Sequence, residues 1–347
     1  MSTLIRLRSS TTFFTTRVPS RFYSILLKLL ILFFVITTLY FNSNPEKFQI
    51  NCKHENDKRN VQQVQKARGW SQGDISEYLS KHSNDNWIIV CFSNKNYIEI
   101  VKIWYKQLEM LGYTNHFIVA MDSETYDILT ENNEHRVIKS IRPFNSSYQN
   151  LQNLWAIRLR TIHQLLSLNF NVLSSDSDAI WKKYVDLNSL PKNYNIIHAY
   201  DRGYPKNAYQ HFGFVVTGGI GGYIYSEATI QLLEKFMQAC SDECDDQAVI
   251  NNFYMKSGFV FNKVDRIDYE EGGNDKVNRT GVSLDGKFKV FVFETDICLR
   301  GNNPTYCYKK EWEKLWLYSP QAEKTGSSKL EMLKKYSNCF KEGVLEE

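Results

Sequence analysis

Asp176 and Asp178 stand one residue apart at the end of a short apolar run, in Asn171-Val-Leu-Ser-Ser-Asp-Ser-Asp-Ala-Ile-Trp181. Two carboxylates so spaced at the tip of a buried strand can share one divalent cation. Mn²⁺ or Mg²⁺ suits such a pair, because both prefer oxygen ligands. A cation held there can bridge a diphosphate and stabilise, as a Lewis acid, the charge that builds as the diphosphate leaves. Asp178 is the better candidate for direct coordination. Asp176 can reach the ion through water, or hold a ribose or a sugar. A D-x-D by itself is more often a polar turn. This one is the sole D-x-D of the chain and runs straight into Ala-Ile-Trp, which favours the chemical reading.

Other residues offer chemistry with a plainer alternative beside it. Asp245-Asp246-Gln247 opens a helix, where acids are favoured by capping and by the helix dipole. Asp246 and Gln247 could instead address an acceptor or sugar hydroxyls, and they are the catalytic candidates. Arg158 and Arg160 suit surface ion pairs, but one of them, assigned as Arg160, could reach a diphosphate. Gly218-Gly219 lie in a glycine-rich loop where backbone can approach a ligand closely, or in a simple turn. Ser93 and Asn94 fall at the end of another apolar run and join the donor-binding set. Tyr200-Asp201-Arg202 could line an acceptor cleft. His163, His198 and His211 show no ligand spacing and read as structural.

These residues need a scaffold, and the pattern supplies one. Trp87–Phe92 and His116–Ala120 are buried-strand runs, and Arg136–Ile138 is a short third. Between them, Ile98–Leu111 carries apolar residues at helical spacing with Gly112 as a stop, and Ser123–Asn132 is a helix with Ser123 as its cap. Leu151–Leu168 is a helix leading into the strand Val172–Leu173. Farther on, Ile196–Ala199, Phe212–Thr217 and Phe288–Phe293 read as strands, and Glu227–Ala239 and Asp246–Met255 as helices. Alternating strands and helices imply an α/β fold with a central, mostly parallel sheet. Ligands of such sheets bind at the carboxyl ends of strands, where Ser93-Asn94 and Asp176-Ser-Asp178 fall.

The charge is uneven. Residues 1–45 hold Arg6, Arg8, Arg17, Arg21 and Lys28 and no acid; without those five, 37 basic residues face 38 acidic ones. A nucleic-acid binder would carry its positive charge on the folded domain, so no nucleic acid is expected as a partner. The apolar run from Tyr23 to Phe41 is about the ~20 residues that cross a bilayer. Basic residues on its N-terminal side keep that end cytosolic, and no small-residue cleavage site stands out after it. A mitochondrial presequence is the rival reading. All seven cysteines follow the run. A lumenal site permits disulfides, with Cys298–Cys307 the best local pair and Cys91 a buried thiol. Asn145 and Asn278 open sequons for N-glycosylation.

The D-x-D block, from Leu165 to Trp181, resembles the core of the nucleotide-diphospho-sugar transferase domain family, similar to plant cell-wall arabinosyl- and xylosyltransferases of the GT-A fold. Trp87–Leu129 resembles the first strands of that family, Asp246-Gln-Ala-Val-Ile-Asn251 its D-Q segment, and Trp316–Pro320 with Lys324–Phe340 its closing strand and helix. The resemblance implies a GT-A-like, Rossmann-type sandwich. It also implies metal-dependent transfer of a hexose or pentose from a nucleoside diphosphate, with retention. Three departures are visible: Asn169 stands where a Gly is common, the Pro usual after the Trp segment is absent, and Ser319 stands about where a metal-binding His is expected.

The resulting expectation is a type II protein of the Golgi or endoplasmic reticulum membrane. Residues 1–21 form a cytosolic tail, 22–41 a transmembrane anchor, 42–85 a stem and 86–347 the lumenal transferase domain. Its partners are a nucleotide-sugar donor, a glycan or glycoprotein acceptor, and the membrane. The alternative is a lumenal pseudoenzyme that binds a glycan or nucleotide-sugar through a weakened metal site.

Overall fold

The run Trp87–Phe92 is unbroken in its apolar character because the strand it forms is covered on both faces. The computed structural model describes residues 72–83, 86–131, 135–140, 151–201, 203–240, 244–262, 278–293, 298–301, 315–320 and 326–336. Strand β1 (Trp87–Ser93) is buried at every position. Ile88, Val90 and Phe92 point into one hydrophobic core, and Trp87, Ile89 and Cys91 into another. Such two-sided cover is the rule for parallel sheets. Strands β2 (His116–Ala120), β3 (Val137–Lys139) and β4 (Asn171–Ser174) lie parallel to it in the order β3-β2-β1-β4.

Helices α2 (Ile98–Met110), α3 (Ser123–Thr130) and α4 (Leu151–Ser167) make the crossovers. Helix α2 buries Ile98, Val101, Trp104, Tyr105 and Leu108 at helical spacing in the second core. It ends with Gly112 at φ +89°, the left-handed residue that commonly closes a helix. The cap of α3 is Asp122, not Ser123: its carboxylate accepts from the Thr125 N–H at 2.7 Å.

The second half of the sheet mixes directions. It is built from β6 (Ile196–Asp201), β7 (Val215–Tyr223), β8 (Val260–Phe261), β9 (Arg279–Val282) and β10 (Lys289–Val292). The order continues β4-β7-β6-β10-β9-β8, and only β7 and β9 run against the other strands. The central sheet is therefore mostly parallel, as the alternation predicts. Helices α5 (Lys206–Phe212), α6 (Glu227–Ala239) and α7 (Asp246–Lys256) accompany it. A second sheet of three strands joins β5 (Ile180–Trp181), β11 (Cys298–Gly301) and β12 (Leu317–Pro320). Helix α8 (Gly326–Lys335) closes a third, small core of Met332, Leu333 and Tyr336 against Ile100, Ile180, Leu315 and Tyr318.

The structure changes one of the following expectations and adds detail beside the other two. Residues 72–82, placed in the stem, form helix α1 (Gln72–His82), whose Leu79 is fully buried in the first core. Gly218–Gly222, taken as a loop, lie within β7, buried throughout. The disulfide found is Cys240–Cys244, between the end of α6 and the start of α7; Cys307 of the expected pair lies outside the described residues. Cys91 is a buried free thiol. The apolar run 22–41, its flanks and Asn145 also lie outside them, and no described helix is long and apolar enough to cross a membrane.

Candidate functional site

The D-x-D segment leaves β4 between two polar clamps from α2. The Trp104 indole N–H donates to Ser175 Oγ at 3.2 Å. The Gln107 amide donates to the Ala179 carbonyl at 3.2 Å and accepts from the Trp181 N–H at 2.9 Å. Ala179 N–H closes the turn on the Asp176 carbonyl at 3.1 Å. This fixes the backbone on both sides of the acidic pair. The Ser93-Asn94 step at the end of β1 is buried nearby. Asn94 caps the one-turn helix Lys95–Tyr97 by accepting from the Asn96 N–H.

Asp176 and Asp246, seventy residues apart in sequence, meet on one side chain. Arg158, from α4, donates through Nη1 to Asp176 Oδ1 at 2.9 Å and through Nε to Asp246 Oδ2 at 2.8 Å, with Nη2 also on Asp246. Arg158 is 4 % exposed and Asp246 2 %. Burial works against the guanidinium's charge, but Asp246 and Asp176 outweigh it and raise its pKa. Burial pushes the Asp246 carboxyl up, opposed by Arg158. A shared fork of this kind satisfies one buried and one half-buried carboxylate at once.

Of the two arginines, Arg158 is the one that meets Asp176 and Asp246. The helix period explains it. Arg158 lies on the apolar stripe with Ile162 and Leu165, at i+4 and i+7. Arg160 is two residues on, about 200° round the helix by the 3.6-residue period, and is half-buried. A charged residue in an apolar stripe was the signal that could have singled out Arg158.

Gly218 and Gly219 are needed for this arrangement. A Cβ on Gly219 would lie 1.9 Å from Asp176 Oδ2, and one on Gly218 would lie 2.6 Å from Asp246 Oδ1. Both carboxylates rest against bare backbone of β7, so the two glycines seat the acids directly. Helix α7 is stapled to the same strand. The Asn251 side chain accepts from Val216 N–H at 2.9 Å and donates to Val216 O at 2.8 Å. Gln247, expected to face a sugar, is held by protein partners. Its amide donates to Asp201 Oδ2 at 2.9 Å and to the Tyr204 carbonyl at 2.7 Å, and accepts from Gly218 N–H at 3.3 Å. Its position ties Asp201, at the end of β6, to the site. His198 is neutral and structural: burial lowers its pKa to about 3, and its Nε2 lies 2.7 Å from the Tyr254 hydroxyl.

Asp178 has a different partner. Lys329 Nζ, from the first turns of α8, lies 2.6 Å from its Oδ2. Asp178 Oδ1 is buried with no hydrogen-bond partner. Burial raises the Asp178 carboxyl against the pull of Lys329. Burial opposes the ammonium, but Asp178 and Asp176 hold it above its ordinary value. The contact had no sequence signal, because α8 is a polar stretch far from the D-x-D.

The acidic pair fits a hard divalent ion through its carboxylate oxygens, and the orphaned Asp178 Oδ1 is the open position. Among the described residues no group of three or more His, Cys, Asp or Glu side chains gathers to hold an ion. The antiparallel register of β12 on β5 pairs Leu317 with Trp181 and Tyr318 with Ile180. Continued by one residue, that register carries Ser319 to the level of Ala179, the residue after Asp178.

A family model described as nucleotide-diphospho-sugar transferase matches residues 112–316, more than half of the chain. The chain belongs to that family. The match contains the D-x-D, both glycines and the D-Q segment. Nucleotide-diphospho-sugar transferases move a sugar from a nucleoside diphosphate, so the acidic cluster at the strand ends lies in a glycosyltransferase. No curated protein sequence matches the chain. One similar solved structure is a crystal structure of an active-site mutant of LgtC. It is 11 % identical, with 71 % of this chain and 95 % of that chain covered and a TM-score of 0.36; a likeness at that level carries no argument about the site.

Proposed function

We propose that the chain transfers a sugar from a nucleoside-diphosphate donor to a glycan or glycoprotein acceptor, with the diphosphate over Asp176 and Asp178. The observation that carries this is the convergence of the D-x-D and D-Q motifs on Arg158, against two glycines that no larger residue can replace without a shift. When bound, manganese or magnesium would neutralise charge building on the leaving diphosphate. Asp178 and Asp176 are the residues that would hold it. Asp246 and the backbone of Gly218-Gly219 form the wall nearest the sugar. Gln247 keeps that wall aligned with Asp201, whose strand end faces the acceptor side. Retention of configuration and a hexose or pentose donor are what the family resemblance supports.

The basic leader and the apolar run 22–41 support a single-pass type II protein of the Golgi or endoplasmic reticulum membrane, with the described domain lumenal. Asn278, exposed at the start of β9, is accessible for a glycan there. Glycosidase treatment of membrane-extracted protein should shift its mobility. Import into mitochondria with loss of the leader would overturn the location. For the chemistry, the full chain is screened for hydrolysis of a panel of nucleotide-sugars with Mn²⁺. Turnover of one donor that Asp178→Ala abolishes supports transfer. Binding without turnover of any donor, with or without acceptors, points to the pseudoenzyme reading, which Ser319 favours.

A further inference from the structure

We propose that Lys329 is a resident counter-ion of Asp178, that a divalent cation must displace it, and that the freed ammonium then turns to the donor's diphosphate. The inference rests on the donor-site reading above and adds a moving part to it. Asp178 is 3 % exposed, and a buried carboxylate needs an opposite charge beside it. Arg158 is committed to Asp176 and Asp246. Lys329 at 2.6 Å supplies the charge for Asp178. An ion on the same carboxylate would sit within a few ångströms of the ammonium, by ordinary coordination distances. Two positive charges that close in a poorly solvated pocket repel strongly, so the two cations exclude one another at Asp178.

The fold makes displacement feasible. Lys329 lies near the start of α8; Leu330 beside it packs partly against the third core, and Met332, Leu333 and Tyr336 anchor the helix farther along. The lysine stem is long and flexible and its side chain keeps 19 % exposure, so the ammonium can swing aside without dislodging that anchor. The Tyr97 ring, 5.8 Å from Nζ, bounds one side of its path. A diphosphate arriving with the cation offers oxygens that the ammonium can then meet. Cation binding and the position of the first turns of α8 are therefore coupled.

The test is a titration of Mn²⁺ into the full chain, wild type and Lys329→Met, followed by the electron paramagnetic resonance of free Mn²⁺. Removing a competitor that occupies the site about nine-tenths of the time should tighten binding about tenfold. Mn²⁺ should also raise the melting temperature of Lys329→Met more than that of wild type. Equal or weaker affinity in the variant overturns the displacement. Binding to neither protein overturns the cation reading as well as the inference. If Lys329→Met does not fold, hydrogen exchange of residues 326–331 in wild type decides: faster exchange on adding Mn²⁺ is expected, and unchanged exchange overturns the proposal.

Discussion

The acidic cluster is neutralised in two ways on its two sides. Asp176 and Asp246 share the guanidinium of Arg158, which rises from a helix packed along its length in the main core. Asp178 meets an ammonium carried in by α8, which packs in a small satellite core. The first pairing is a fork of several bonds from a buried guanidinium to one buried and one half-buried carboxylate, and it builds the floor of the site. The second is a single contact at a helix start, and it leaves one carboxylate oxygen open. The fold therefore holds the floor of the site fixed, and the charge proposed to exchange sits at Asp178.

Breaking the floor should have the largest effect. Arg158→Met leaves two carboxylates without their counter-charge, and should cost about 3–5 kcal/mol of stability, the usual result of removing one partner from a buried pair. Thermal or denaturant unfolding reads this directly. Gly219→Ala comes next, because its Cβ would meet Asp176 Oδ2 at 1.9 Å. Forced repacking of this kind costs about 1–3 kcal/mol, and the displaced carboxylate should weaken nucleotide binding. A variant with wild-type melting and binding would show that Asp176 need not rest on β7.

The floor was partly legible in the sequence. Unbroken apolar runs gave β1, β2 and the strand before the D-x-D, because strands covered on both faces carry no polar alternation. The helices of the first half were legible from their spacing. Gly218–Gly222 was not, because glycines in a strand look like a loop until the carboxylates that need the room are known. Arg158 was separable from Arg160 only through helical phase. Lys329 could not be found at all: its partner lies 151 residues away, and nothing in Gly326–Lys335 marks a contact.

Lys329→Met sharpens the comparison from the other side. It removes the counter-charge of one buried carboxylate rather than of two, so the cost should fall at the low end of the about 3–5 kcal/mol expected for breaking a buried pair, below the loss expected for Arg158. The loss should be confined to α8, so hydrogen exchange should rise at residues 326–336 and stay unchanged in β1 and β4. Equal losses for the two substitutions would erase the distinction between floor and exchangeable charge.

The smallest effect at neutral pH concerns histidines outside the cluster. Burial, the largest cause for each, lowers the pKa of His116 and His198 to about 3. Both stay neutral in the fold while the unfolded chain takes up protons near pH 6.5, so their contribution is present above that pH. It is lost as pH falls toward 3, by at most about 1.4 kcal/mol per pH unit for each. Melting temperature should therefore decline on acidification below pH 6.5. His198→Gln should reduce the slope, and an unchanged slope would mean that His198 is already protonated in the fold.

The central claim is that a donor diphosphate is held over Asp178, and equilibrium binding of nucleoside diphosphates tests it most directly. Wild type and Asp178→Ala are compared in Mn²⁺ and in chelator, with circular dichroism showing that both are folded. The account predicts Mn²⁺-dependent binding of one nucleoside diphosphate by wild type and its loss in Asp178→Ala. Equal binding by the two proteins, with the fold intact, would contradict it.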